Sequence, residues 1–211
     1  MPAQSLETDA FVLLKRLPTD SFQSFTVFSP THGLLVVLQR ISKPRAGGKS
    51  GAGASVPLDL FDEVWLQLES SNQGHTWFTR ETRLIARPTD IGRSYDALRF
   101  ASGFAALIVR NPVHEDSREA VAKLLRESFA AFAAGPRPDI VHLKSVYRFA
   151  RYEGYPLKEQ WFPTLSAADR AEAAAVLNQP LAGQTATVEA VVRLQRRLDD
   201  YLRGHTEFLL D

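Results

Sequence analysis

The residues of this chain that could carry out catalysis or hold a metal ion are few and scattered. The five histidines lie far apart, and no pair of them has metal-ligand spacing with a carboxylate on one helix face. They are His32, His75, His114, His142 and His205. The chain contains no cysteine, which excludes disulfides and thiolate metal sites. We therefore expect no bound metal.

Enzyme motifs are also missing. Residues 47–50 (GGKS) resemble the end of a phosphate-binding P-loop, but the first glycine of that motif is absent at the required spacing. Glu115 and Asp116 suit the first turn of a helix, where the helix dipole favours acidic side chains, better than a catalytic pair. The sequence therefore predicts a protein without catalytic residues and without a cofactor.

Cationic side chains form a more informative pattern. No acidic residue occurs between Asp20 and Asp59, and the glycine-rich stretch 42–56 lies within this interval. Uncompensated positive charge on such a loop suits a polyanion, although a loop that is only solvated has the same composition. We interpret nine residues as candidate nucleic-acid contacts. They are Lys15, Arg16, Arg40, Lys43, Arg45, Lys49, Arg80, Arg83 and Trp65.

The aromatic residues of the same region have two possible roles. Trp65 and Trp77 are candidates for base stacking, whereas burial in the core is expected for the phenylalanines Phe25, Phe28 and Phe78. Trp65 falls on the polar face of its strand, which leaves stacking and burial both open. Glu81 separates Arg80 from Arg83, so a solvated strand face is an equally good interpretation of those two arginines.

The elements that would position these residues are five strands followed by five helices. Apolar alternation and turn residues predict strands over 9–17, 22–29, 33–41, 60–69 and 75–86. Helical spacing predicts helices over 91–110, 114–134, 139–153, after the Ser166 cap, and over 187–203 with Gly204 ending the last one. The expected fold is α+β, with an N-terminal five-stranded OB-fold β-barrel (1–87) followed by an all-α helical domain (88–211).

The composition sets further limits. The chain has 211 residues, of which 45% are apolar and 23% charged, and its net charge is only +1. Nucleic-acid affinity must therefore come from local clusters of cations rather than from the overall charge. Residues 1–10 lack the apolar core of a signal peptide, and no apolar run is long enough to cross a bilayer. We expect a cytoplasmic, nucleoid-associated protein with no membrane partner.

Several motifs, in this order, resemble the RecO family of bacterial recombination mediators. Residues 26–34 (TVFSPTHGL) are similar to the strand pair with a His-Gly turn near the start of that family. Residues 93–111 (RSYDALRFASGFAALIVRN) look like its first helix, and residues 145–156 (SVYRFARYEGYP) resemble the helix that ends in a Gly-Tyr-Pro break.

The resemblance implies binding of single- and double-stranded DNA, annealing of complementary strands, and loading of a recombinase. The implied partners are a RecR-type mediator protein and the single-stranded-DNA-binding protein. Carried over by motif, DNA contacts fall on Lys15, Arg16, Arg40, Lys43 and Arg45. About six phosphate contacts would give a salt dependence of about five log units of affinity per log unit of salt.

Two departures from the family pattern matter. Many relatives carry a four-cysteine zinc cluster after the Gly-Tyr-Pro break, whereas residues 157–163 (LKEQWFP) contain no cysteine. Trp161 and Phe162 are expected to fill that space by apolar packing. The ending HTEFLLD also lacks a basic tail. An alternative function follows from the near-neutral charge: a protein-interaction module of a repair complex that makes no direct contact with DNA.

Overall fold

The computed structural model describes residues 4–41 and 56–210. Its chain divides into two compact units, Met1–Pro88 and Thr89–Asp211. The first unit contains all of the described strands, and the second contains all of the described α-helices. Among the helices of the described ranges, none has the length and apolar composition needed to cross a membrane.

The first unit is a closed β-barrel, as expected. Its strands are β1 (Gln4–Lys15), β2 (Phe22–Ser29), β3 (Gly33–Arg40), β4 (Glu63–Ser70) and β5 (Trp77–Ala86). They are hydrogen-bonded in the order β1-β2-β3-β5-β4, and β4 closes the barrel onto β1. Only the β3–β5 pair is parallel. This architecture confirms the five-stranded OB-fold barrel predicted from the sequence.

Strand alternation determines which side chains fill the barrel. On β4, Val64, Leu66 and Leu68 are fully buried, whereas the residues between them are only partly covered. Successive strand residues face opposite sides of a sheet, so this pattern places one apolar row inside the barrel. The core also contains Phe25, as predicted, and Trp77. The expectation that Trp77 stacks on a ligand is therefore wrong, because its side chain is buried in the core.

The largest differences between the predicted and observed strand boundaries lie at the starts of β1 and β4. β1 begins at Gln4 rather than residue 9, because the polar stretch from Gln4 to Phe11 pairs residue for residue with β4. β4 begins at Glu63 rather than residue 60, because the chain turns through Phe61, which has a positive φ of 69°. Pairing across the barrel, rather than local composition, decided both boundaries.

The second unit consists of α-helices and short 3-10 turns. The helices are α1 (Tyr95–Arg110), α2 (Arg118–Ala134), α3 (Pro138–Tyr152), α4 (Leu157–Gln160), α5 (Ala167–Asn178) and α6 (Val188–His205). Ser166 caps α5 as predicted, since its side chain accepts a hydrogen bond from the Asp169 backbone N–H. The prediction for Gly204 is wrong, because α6 continues through it and ends at His205. The short helix α4 was not predicted.

Candidate nucleic-acid interface

An open groove lies on the outer face of the barrel and is lined by residues of β2, β3, β4 and β5. The register places Phe22 opposite Arg40 on the β2–β3 pair. Leu38 of β3 pairs with Phe78 of β5, and Phe78 lies opposite Glu69 of β4. Paired residues of neighbouring strands point to the same side of a sheet. Side chains from four strands therefore converge on one surface, which we call the barrel groove.

Two phenylalanine rings line the barrel groove. The ring centroids of Phe22 and Phe78 are 5.5 Å apart, with an interplanar angle of 70°, which is the edge-to-face arrangement that aromatic pairs favour. Both side chains are half-buried, and Leu38 lies beside them. The expectation that Phe78 belongs to the core is wrong, because the adjacent Trp77 occupies the inward position. The rings and Leu38 give the groove an apolar surface on which a planar base could rest.

Two arginines flank these rings. Arg40 is exposed at the end of β3 and has no ion-pair partner among the described residues. Arg80 occupies the irregular position of β5 where the pairing with β4 shifts by one residue. Its Nε donates to Glu69 Oε2 at 2.7 Å, and its Nη2 lies 2.5 Å from the same oxygen. Among the residues that the structure describes, Arg40 of the groove therefore has no ion-pair partner, whereas Arg80 is neutralised by a neighbouring carboxylate.

The loops at the ends of the barrel groove are well ordered by internal hydrogen bonds. In the β1–β2 loop, the Thr19 hydroxyl accepts from the Phe22 backbone N–H at 3.1 Å. The Ile41 N–H donates to the Ser21 carbonyl at 2.9 Å, which holds this loop against the end of β3. In the β4–β5 loop, the Ser70 hydroxyl accepts from the Gly74 N–H at 3.0 Å. The groove is therefore shaped before any ligand binds.

Lys15 and Arg16 lie where β1 ends, near the start of the β1–β2 loop. Lys15 donates to Asp59 at 3.0 Å, so its charge is paired. Arg16 is exposed, and no salt bridge to it occurs in the part of the chain that the structure describes. Its backbone N–H donates to the Ser24 carbonyl at 3.0 Å, and its carbonyl accepts from the Gln23 amide. Of this basic pair, Arg16 is the residue whose charge is available to a ligand.

Lys43, Arg45 and Lys49 lie outside the described residues. The chain on the far side of that stretch is anchored to β3 through Gln39, which is buried. The Gln39 Nε2 donates to the Val56 carbonyl at 2.8 Å, and its Oε1 accepts from the Leu58 N–H at 3.0 Å. Ile41 and Val56, the described residues on either side of that stretch, thus both lie beside the end of β3.

Ion pairs and hydrogen bonds of Asp62 hold the chain that leads into β4. Asp62 has no exposed surface and accepts from Arg87 at 2.6 Å. The hydrogen bond that the Arg87 guanidinium donates to Asp62 outweighs the effect of burial and raises the pKa of that guanidinium. The Asp62 carboxylate also accepts from the Asp59 N–H at 2.8 Å. Asp62 and Arg87 are therefore structural residues that fix the approach to β4.

Trp65 and Arg83 lie on the same outer side of the β4–β5 pair as the groove, but Trp65 is four residues away from Glu69 along β4. The Arg83 guanidinium lies 4.5 Å from the Trp65 ring centroid, and its Nε donates to Glu81 at 2.8 Å. Asp9 of β1 lies opposite Trp65, and Glu7 accepts from the Gln67 amide on the same face. Carboxylates surround this tryptophan and its ring already contacts an arginine, so the face is poorly suited to phosphates. The structure does not bring Trp65 and Arg83 together with the barrel groove.

Sequence reasoning missed Phe22, Leu38 and Phe78. A signal for Phe78 was present, because two adjacent aromatic residues in a strand must face opposite sides, so one of the pair Trp77-Phe78 had to point outward. The sequence alone does not tell which of the two does so. Phe22 and Leu38 could be recognised only once the β2–β3 register was known.

No metal site accompanies the groove. In the ranges 4–41 and 56–210, no three His, Asp or Glu side chains are grouped so that they could hold a metal ion. No protein-family model matches the chain, and no curated protein matches its sequence.

Proposed function

We propose that this chain binds single-stranded DNA in the barrel groove. The observation that carries the proposal is the half-buried Phe22–Phe78 pair flanked by the free guanidinium of Arg40. Single-strand binders combine aromatic rings, on which bases stack, with cations that follow the phosphates. OB-folds bind oligonucleotides on the face of their second and third strands, between the loops that also border this groove.

The resemblance to RecO extends the proposal to a biological role. In this role the chain anneals complementary DNA strands and helps to load a recombinase. It acts with a RecR-type mediator and the single-stranded-DNA-binding protein. Cations that neutralise the phosphates of two strands lower the mutual repulsion of those strands, so that bases can pair without nucleotide hydrolysis. Such a role needs no catalytic residue in the chain.

The test is a titration of a labelled single-stranded oligonucleotide over a range of salt concentrations. Arg40→Gln should weaken binding and lower the salt slope by about 0.7, the contribution of one phosphate contact to single-strand binding. Phe22→Ala should cost about 1–3 kcal/mol of binding free energy without changing that slope, because stacking releases no counterion.

Arg83→Gln is the matched control. It removes the same charge from β5 at a position outside the groove, so binding should be unchanged. Equal losses for Arg40→Gln and Arg83→Gln would show that the protein attracts DNA through its general charge and that the groove is not the site.

A second candidate function is docking of a protein partner in the same groove. Two observations favour it: Glu69 neutralises Arg80, and Leu17 of the β1–β2 loop is 91% exposed. An apolar surface of this kind suits a peptide. If the oligonucleotide does not bind even at low salt, this candidate replaces the first.

A further inference from the structure

The helical unit has a second surface on which positive charge is concentrated. Lys144, Arg148 and Arg151 of α3 are spaced at i, i+4 and i+7, so they share one face of that helix. Lys123 of α2 adds a fourth cation, and its Nζ lies 4.0 Å from Glu127. We call this surface the α2–α3 face. The whole chain carries a net charge of only +1, so such a cluster is a local feature.

The cations of the α2–α3 face are only partly neutralised. Arg148 donates to Glu127 at 2.7 Å, and this is the same carboxylate that Lys123 approaches. Lys144 donates instead to the neutral backbone carbonyl of Gln179 at 2.6 Å. Burial, together with the neighbouring Arg148 charge, lowers the pKa of Lys144, as expected for a cation that lacks a counter-charge.

A shallow pocket lies between the two helices at the centre of this face. Its lining includes small side chains from both helices, Ser128 and Ala131 of α2 and Ser145 of α3. The two serine hydroxyls are 2.7 Å apart and buried. Lys144 and Arg148 line the same pocket. The Glu127 carboxylate lines it as well, so a ligand group that enters the pocket would meet two cations and the carboxylate that pairs with Arg148.

Aromatic rings alternate with the cations along α3. The Arg148 guanidinium lies 5.8 Å from the ring centroid of Tyr152, and the Arg151 guanidinium lies 5.9 Å from that of Tyr147. Tyr152 is 36% exposed, whereas Tyr147 is buried, so Tyr152 is the ring of these two that a base could reach. The row from Lys144 to Arg151 spans about 10 Å at the helical rise of 1.5 Å per residue, so it continues beyond the pocket. Extended rows of cations interleaved with aromatic rings favour a strand of nucleic acid over a single anionic group.

We propose that the α2–α3 face binds a second strand of nucleic acid through its phosphates. The proposal rests on the proposed function in one respect, because it assumes that the chain acts on nucleic acid. The barrel groove would then hold one strand and the helical unit another, so annealing would use two sites of one protein. Cations at each site neutralise the phosphates of the strand bound there, so the two strands repel each other less than they do in solution.

The experiment uses the full chain and an oligothymidylate of about ten nucleotides, too short to need more than one site. The test variant is Lys144→Gln with Arg151→Gln, which leaves the Arg148–Glu127 pair intact. The Gln179 carbonyl keeps a donor in this variant, because the Gln184 amide also donates to it at 2.8 Å. The control is Arg196→Gln with Arg197→Gln, which removes the same charge from the exposed side of α6. The test pair and the control pair are each also combined with a groove variant, which carries Phe22→Ala and Arg40→Gln.

The groove variant should retain weak, salt-sensitive binding. Adding the test pair should reduce that residual binding by about tenfold, whereas adding the control pair should leave it unchanged. In the otherwise native chain, the test pair should lower the rate of strand annealing but not the affinity of the groove for one strand. When the test pair is added to the groove variant, the salt slope of the residual binding should fall by about 1.4.

Three results would overturn the proposal. The residual binding could be the same with and without the test pair, the groove variant alone could abolish all binding, or an acidic peptide could bind the α2–α3 face while the oligonucleotide does not. A different pattern separates this proposal from the proposed function. The groove variant could bind as the native chain does while the test pair abolishes binding. This result would support the site on the α2–α3 face and contradict the site in the barrel groove.

Discussion

Glu69 limits the positive charge of the barrel groove. Its Oε2 is held by both Nε and Nη2 of Arg80, at 2.7 and 2.5 Å, and the pair is partly exposed. A phosphate that enters the groove must compete with this carboxylate for the guanidinium. It is also repelled by the negative charge of Glu69. Glu69 therefore weakens the binding of any polyanion at this site.

Glu69→Gln should tighten the binding of single-stranded DNA by about three- to fivefold at low salt, since an exposed ion pair contributes up to about 1 kcal/mol. The gain should disappear at high salt, where screening removes both effects. Glu81→Gln, which releases Arg83 outside the groove, is the control and should leave the affinity for single-stranded DNA unchanged. Unchanged or weaker binding by Glu69→Gln would contradict a DNA site at the groove.

His142 makes the stability of the helical unit dependent on pH. Burial between α1 and α3 lowers the pKa of its imidazole to about 4, while a hydrogen bond to the Phe100 backbone opposes the shift and the Arg99 charge adds to it. Its Nδ1 is buried without a hydrogen-bond partner in the described chain. A lowered histidine pKa means that the unfolded chain takes up the proton first as the pH falls.

The contribution of neutral His142 should be complete above pH 6.5 and should be lost between pH 6.5 and about 4. The loss should approach about 3 kcal/mol at the lower end of that range. His142→Phe removes this dependence, so its free energy of unfolding relative to the native chain should rise by that amount as the pH falls. Urea denaturation at several pH values measures the difference. A difference for His142→Phe that stays constant as the pH falls would contradict the assignment.

Among the elements, the segment that follows the Gly-Tyr-Pro break is held by aromatic packing. Trp161 follows α4 and is 1% exposed. Its ring centroid lies 5.9 Å from that of Tyr147 and 5.3 Å from that of Phe162, and its Nε1 donates to the Arg197 carbonyl at 3.3 Å. These contacts agree with the expectation that Trp161 and Phe162 pack as apolar side chains after the Gly-Tyr-Pro break.

Trp161→Ala should lower the free energy of unfolding by about 3–5 kcal/mol, because it removes a fully buried indole and leaves a cavity. Thermal and urea denaturation measure the loss. Leu209→Ala is a suitable control, since Leu209 is 54% exposed and should change stability by less than about 0.5 kcal/mol. A loss below about 1 kcal/mol for Trp161→Ala would mean that this packing does not support the unit.

At the scale of the whole molecule, three of the five proposed cations that the structure describes are already paired. Lys15, Arg80 and Arg83 each form an ion pair, which leaves Arg16 and Arg40 free among the described candidates. Lys43, Arg45 and Lys49 lie outside the described residues, and their sequence context contains no acidic residue. The number of phosphate contacts should therefore be smaller than the sequence alone predicts.

The salt slope for single-stranded DNA should be about 3.5 if these five residues each contact one phosphate, compared with about 4.2 for six contacts at the same contribution of about 0.7 per contact. Replacing Lys43, Arg45 and Lys49 by glutamine should lower it to about 1.4. The titration of an oligonucleotide against salt gives both values. A slope that does not change would mean that the glycine-rich segment only solvates the protein.

Local patterns in the sequence were sufficient for much of the fold. Alternation on β4 predicted its buried row, and Ser166 predicted the start of α5, because both depend on residues within one turn or one strand. The absence of cysteine and of catalytic motifs also followed from the sequence alone. The end of α6 was misplaced, because a single glycine near a helix end does not stop the helix when the last turn is supported by its neighbours.

Only the tertiary structure decided which side chains form the candidate sites. Phe22, Leu38, Phe78 and Arg40 come from three strands, and their convergence depends on the β2–β3 and β3–β5 registers. A shift of one residue in either register would turn these side chains to the other side of the sheet. The same holds for the pairing of Arg80 with Glu69, which comes from the β4–β5 register. The sequence by itself determined the secondary-structure elements and the charged residues available to a site, because these are local properties. The register decided where that charge is free and where it meets an aromatic ring, because contacts between distant strands are not local.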